Sequence, residues 1–149
     1  MSSAGFTFNM PRQDLYAYID GADIECLADQ LAIRFAEFVS GRRWNYGRAW
    51  VVNQKHEDSP HMKPCDLPLW ELGLNLEIPD VGSEPERWFD DVEAVVSFLG
   101  TLHRETGRDF VIGVADAGTG ATHEDMFYIT SDKPDMKLLR KVFGVQQAV

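Results

Sequence analysis

The clearest pattern in the chain is an alternation between residues 70 and 78. Trp70, Leu72, Leu74, Leu76 and Ile78 take every second position, with Glu71, Gly73, Asn75 and Glu77 between them. A two-residue period puts one set on a buried sheet face and the other on an exposed one. Pro79 stops this strand. A longer period runs through Ile24, Leu27, Ala28, Leu31, Phe35, Phe38 and Val39 and predicts an amphipathic helix. Asp20 or Asp23 suits its N-cap and Gly41 the position past its end. Cys26 and Ile33 fall on the side opposite the apolar stripe. A wider arc of Trp88, Phe89, Val92, Val95, Val96, Phe98, Leu99 and Leu102 predicts a second helix, the main one packed across the sheet. The pattern Ser83-x-x-Glu86 reads as its capping box, and Gly107 as its stop.

Further strands are expected over 49–54, 109–115 and 126–130. A last helix starts near Asp132, which suits its N-cap, and buries Leu138, Leu139, Val142 and Phe143 before Gly144. Phe6, Phe8 and Met10 alternate as a short edge strand would, up to Pro11. Residues 1–13 and 145–149 are expected to be flexible. The order is therefore α-β-β-α-β-β-α. It predicts a single α+β domain over 1–149, with a mainly antiparallel sheet of about four strands, built from two hairpins, and three helices on one face.

Composition sharpens this picture. With 149 residues and 44% hydrophobic positions, the chain can bury a core without metal or disulfide. Cys26 and Cys65 lack a paired spacing and read as free thiols of a reducing compartment. The N-terminus has no basic, then apolar, signal-peptide pattern, and no apolar run nears the roughly 20 residues that cross a bilayer. The expected localisation is cytoplasmic. The formal charge of -10 disfavours nucleic acid and anionic membranes, so neither is an expected partner. It favours a protein with a basic surface.

Candidate chemistry is sparse. His56, His61, Cys65 and Asp66 are metal-ligating types, but H-E-x-x-x-H places the histidines off any shared helix face and Pro60 opposes a helix. The stretch reads as a solvated hairpin loop, with neither metal nor cofactor expected. Asp116-Ala-Gly-Thr-Gly-Ala-Thr-His123 follows a strand as a phosphate loop would, yet the next element reads as a strand and supplies no helix N-terminus. Asp116, His123, Glu124 and Asp125 carry acid–base groups that polar loop composition already explains. No serine sits in a G-x-S-x-G elbow, so no catalytic residue is assigned. His103 and Asp91 lie within the apolar arc of the second helix and must find hydrogen-bond partners there.

Carboxylates are the remaining signal. Asp80, Glu84, Glu86, Asp90, Asp91 and Glu93 are opposed only by Arg87, and Asp14, Asp20, Asp23, Glu25 and Asp29 by no cation at all. Helix starts favour such residues electrostatically, which accounts for part of the clustering. Trp88 and Phe89 inside the first run give the aromatic-plus-charge composition of many interfaces. At the level of class, the chain resembles immunity proteins of bacterial toxin systems, being small, acidic and α+β. That resemblance implies an immunity protein or antitoxin that occludes the basic active cleft of a toxin or enzyme, acting as monomer or homodimer. The expected partner-binding residues are Asp80, Glu84, Glu86, Asp90 and Glu93 with Trp44 and Tyr46. Two alternatives stand beside it: a small enzyme or ligand-binding domain with its site in loops 55–68 and 116–125, and a homo-oligomeric adaptor with Ile33 at its seam.

Overall fold

A computed structural model describes residues 13–21, 23–56, 69–79, 87–116 and 122–144. Along the chain run β1 (Gln13–Ile19), α1 (Ala28–Ser40), β2 (Ala49–His56), β3 (Leu69–Ile78), α2 (Trp88–Thr106), β4 (Phe110–Asp116), β5 (Thr122–Ile129) and α3 (Met136–Val142). The strands form one antiparallel sheet in the order β2-β3-β1-β4-β5. The fold is α+β, as expected, with five strands among the described residues where about four were expected. The extra strand, β1, lies at the centre of the sheet and separates the two hairpins. Its sequence, Gln-Asp-Leu-Tyr-Ala-Tyr-Ile, has large residues on both faces, so it lacks the polar interruptions that mark β3. From β1 to β4 the connectivity is the split β-α-β arrangement of ferredoxin-like folds, and β5 extends the sheet beyond β4.

Alternation in each strand sorts its residues between the two faces. Leu15, Ala17 and Ile19 of β1 join Leu72, Leu74, Leu76 and Ile78 of β3 in the core, with Phe110, Ile112 and Val114 of β4. The helices supply the opposing layer. In α1, Leu31 and Phe35 are buried; in α2, Val92, Val95, Val96, Leu99 and Leu102 are fully buried. Removing each such side chain from water is worth about 1.5–3 kcal/mol. Aromatic rings join α1 to α2: Phe38 stacks on Phe98 with centroids 4.2 Å apart, and Phe35 meets Phe98 edge-on at 5.4 Å. Gly107 ends α2 with φ 73°, a conformation glycine adopts without strain, and its N–H reaches the His103 carbonyl.

Several expected helix ends fall elsewhere. Neither Asp20 nor Asp23 caps α1, which begins after Leu27 without a side-chain cap; the Asp23 carboxylate is taken by Arg108 instead. Asp135, not Asp132, caps α3, accepting from the Leu138 N–H. Leu138 is exposed while Leu139 is fully buried, because α3 is only seven residues long and presents a single buried position. Cys26, which precedes α1, and Ile33 are both exposed and not covered by another element, one of the two outcomes that their place off the apolar stripe allowed. The Ser83–Glu86 capping box, the alternation at 6–10, the loop cluster of His61 and Cys65, and the glycines of 117–121 lie outside the described residues.

Candidate binding face

Two regions gather polar and aromatic side chains. The first surrounds the start of α2. Asp91 is buried there, 1% exposed, and its carboxylate accepts from the Asn45 and Tyr46 backbone N–H groups, from Asn45 Nδ2, and from Arg42 Nη2 at 3.0 Å. This one side chain ties the connection between α1 and β2 to α2. His103, the other polar residue of the arc, is held by the Arg108 carbonyl at 2.8 Å from Nδ1. Both are partnered, as burial demands. Arg87, which precedes α2, is held at φ 68°, a left-handed conformation that side chains other than glycine rarely take. Its carbonyl accepts from Asn45 Nδ2, and its Nε donates to Asp90.

This is where the expected partner-binding residues fall, and the structure places cations among them. Asp90 pairs with Arg87 at 3.0 Å and Glu93 with Arg140 at 2.9 Å. Arg42, Arg43 and Arg87 line the same shallow depression of about 510 Å³ as Asp90 and Glu93. Trp44 is half-buried: its Nε1 donates to the Val39 carbonyl, and its ring packs edge-on against Phe38. Tyr46 is 45% exposed and anchored only through its backbone. Asp80, Glu84 and Glu86 lie outside the described residues. Of the seven expected positions, the structure thus brings Trp44, Tyr46, Asp90 and Glu93 into one neighbourhood, where the two carboxylates already have arginine partners.

The second region is the sheet face opposite the helices. Register lays its residues out in rows. Trp50, Asn75, Tyr16 and Gly113 form one row; Val52, Gly73, Tyr18, Val111 and Tyr128 form the next. Carboxylates stand at both ends, with Asp14 opposite Glu77 in one direction and Glu71 beyond Gly73 in the other. Two glycines flank the tyrosines of β1. A Cβ at Gly113 would come within 2.1 Å of Tyr16 Oη, and one at Gly73 within 1.9 Å of the Ala17 carbonyl oxygen. The missing side chains let the Tyr16 ring lie across the sheet surface and let β3 approach β1 closely.

Tyr16 and Tyr18 stack with centroids 5.3 Å apart. Tyr18 donates its hydroxyl proton to Asn75 Oδ1 at 2.8 Å. Burial and, secondarily, the Glu71 carboxylate push the Tyr18 phenol up to about 12, although the Asn75 bond opposes the shift. Asp14 adds to the rise. Tyr18 is therefore a fixed, neutral donor at physiological pH. Nearby, the Arg48 guanidinium lies over the Trp50 ring at 5.0 Å and faces the Glu77 carboxylate at 3.9 Å. Tyr16 and Val111 are buried on this face yet stand outside the helix-side core. The face thus combines aromatic rings with carboxylates, the Tyr16 ring and the Asp14 carboxylate being buried and Tyr128 exposed.

Sequence reasoning listed Asp14 among the acidic residues but did not place it on a strand, and left Tyr16, Tyr18, Asn75 and Glu71 without a role. Their adjacency is set by strand pairing across large sequence separations. The available signal was the Tyr-Ala-Tyr-Ile alternation just ahead of Asp20-Gly21.

No protein-family model and no curated protein matches this sequence. Among solved structures, a phage SAM lyase in complex with S-methyl-5'-thioadenosine aligns with 84% of this chain and 93% of its own, at 7% identity and a TM-score of 0.38. A likeness that distant carries no argument about chemistry.

Proposed function

We propose that this chain is a protein-binding domain that neutralises a basic partner, acting as an immunity protein or antitoxin does. The observation that carries the reading is the sheet face on which half-buried Tyr18 and Trp50 and exposed Tyr128 stand among the half-buried carboxylates Glu71 and Glu77. Aromatic side chains supply large contact area at low entropic cost, and tyrosine and tryptophan dominate interface energetics. The formal charge of -10 adds a long-range attraction for a cationic surface that speeds encounter and rejects acidic competitors. A toxin or enzyme with a basic active cleft has the complementary charge. The depression at the start of α2 is lined by Arg42, Arg43 and Arg87 as well as by Asp90 and Glu93, so it offers a cationic partner mixed charge.

The test is capture of the tagged chain from its native cell, followed by expression of each captured protein alone and with this chain. The reading expects a basic protein bound in stoichiometric amount, harmful when expressed alone and harmless beside this chain. Toxicity that persists on co-expression, or capture of acidic proteins only, would overturn it.

A further inference from the structure

We propose that the depression beside α2 is an anion site for a phosphate group, received by the guanidinium groups of Arg43, Arg87 and Arg42. The chain as a whole is strongly acidic, yet three arginines from two separate stretches line this one depression of about 510 Å³. Their donors outnumber the acceptors that reach them, since each guanidinium carries five N–H groups. Arg42 commits Nη2 to the Asp91 carboxylate, and its Nε is buried with no acceptor among the described residues. Arg87, its side chain 71% exposed, commits Nε to Asp90 and keeps both Nη groups without a partner among the described residues. Arg43 is exposed and has neither hydrogen bond nor ion pair among them.

The two carboxylates of the lining do not cancel this surplus. Glu93 is matched by Arg140, from outside the lining, and Asp90 by Arg87. With Arg42 matched by Asp91, the charge left over in the depression is that of Arg43. The Arg87–Asp90 pair is solvent-exposed, and pairs of that kind contribute little, so an incoming anion can open it. The backbone of Arg87, at φ 68°, is fixed because its carbonyl accepts from Asn45 Nδ2 and from the Asp90 N–H. Glycine would take that conformation without strain, so the arginine stands there against the local backbone preference.

A phosphate monoester presents three strongly accepting oxygens, enough for guanidinium groups arriving from different sides, and the planar fork of arginine meets two of them at once. Exposed Ser97, on the same face of α2 as Asp90 and Ala94, adds a hydroxyl to the wall. Charges beyond about 8 Å are largely screened at physiological ionic strength, so a small phosphate compound meets chiefly the arginines. The ligand class is therefore a small phosphate-bearing molecule or the free ion.

The test follows the arginine Nε–Hε signals of the isotopically labelled full chain as inorganic phosphate, phenyl phosphate or acetate is added at constant ionic strength. The pH is held at about 7.5, above the second phosphate ionisation. Phosphate is expected to shift Arg43 and Arg87 saturably and to bind about tenfold more tightly than acetate. Arg43→Gln should weaken phosphate binding about tenfold, a loss at the low end for a hydrogen bond to a charged group. Arg87→Gly should weaken it as much while keeping or raising the melting temperature, because it relieves the backbone. Arg104→Gln, exposed on α2 but outside the depression, should leave binding unchanged. Phenyl phosphate binding at least as tightly as inorganic phosphate assigns the site to a carried phosphate, and the reverse order assigns it to the free ion. Shifts that never saturate, equal affinity for acetate, or full binding by Arg43→Gln would overturn the proposal.

Discussion

Replacing Asp91 by alanine should cost this protein a large part of its stability. Its carboxylate is 1% exposed and serves two backbone N–H groups, the Asn45 amide and the Arg42 guanidinium. Truncation strands the two backbone groups and the guanidinium, while Asn45 Nδ2 keeps its bond to the Arg87 carbonyl. A buried donor left without an acceptor costs about 1–3 kcal/mol. The low end applies here, because the connection carrying Asn45 and Tyr46 is partly open to water. Arg42 is 28% exposed and can recover some hydration, so its loss is below the 3–5 kcal/mol of a fully buried broken pair. Two backbone groups and one cation at about 1 kcal/mol each give a loss of about 3 kcal/mol. Against a typical total of about 5–15 kcal/mol, that is severe. In urea, with a slope of about 2 kcal/mol/M, the midpoint should fall by about 1.5 M. Asp91→Asn retains one acceptor oxygen and should lose about half as much. Asp90→Asn removes only an exposed pair with Arg87 and should change stability by less than about 0.5 kcal/mol. A midpoint for Asp91→Ala within about 0.3 M of the parent, at unchanged slope, would refute the reasoning.

Other consequences can be checked as directly. Spectrophotometric titration should show the Tyr18 phenol ionising near pH 12, and Tyr18→Phe should reduce the absorbance change over that range by one phenol. Because folding raises this phenol above its ordinary value of 10.0, its contribution to stability is complete below pH 10 and disappears as pH rises toward 12; Tyr18→Phe should flatten stability over that window. Gly73→Ala drives a methyl group into the β1 backbone and should destabilise by about 1–3 kcal/mol, seen as a lower melting temperature. Ile33→Ser, on the exposed side of α1, should stay within about 0.5 kcal/mol of the parent; if the mass in solution exceeds one chain and falls on this substitution, the adaptor alternative gains ground.

Legibility in the sequence followed from how many faces of each element are buried. β3 was plain because Glu71, Asn75 and Glu77 interrupt its leucines, and α2 because its apolar arc is wide. β1 was not, since tyrosines fill the face that polar residues occupy in β3, and it runs without a break into the acidic lead-in to α1. The caps misled for a related reason. Asp23 and Asp132 stand where capping residues belong, but Arg108 competes for Asp23, and α3 begins at its own Asp135. Charge was legible only in sum. The acidic run around Asp90 has one arginine in its sequence neighbourhood, whereas Arg42, Arg43 and Arg140 arrive from elsewhere in the fold. The tyrosine face needs three strands paired in register before it exists at all.

The central place of β1 also sets a timetable. Tyr18 pairs with Gly73 on one side, and Ile19 with Phe110 on the other. During synthesis, the strand that holds the sheet together leaves the ribosome before either neighbour has been made. The β2–β3 pairing can close soon after its strands are complete, but β1 cannot be clasped on both edges until β4 has followed α2 out. Assembly of the sheet therefore waits on its longest-range contacts, a slow route by the usual relation between topology and folding speed. Until then Leu15, Ala17 and Ile19 lack the core they pack into, and the tyrosines of β1 lack the strands of Gly73 and Gly113 against which they lie.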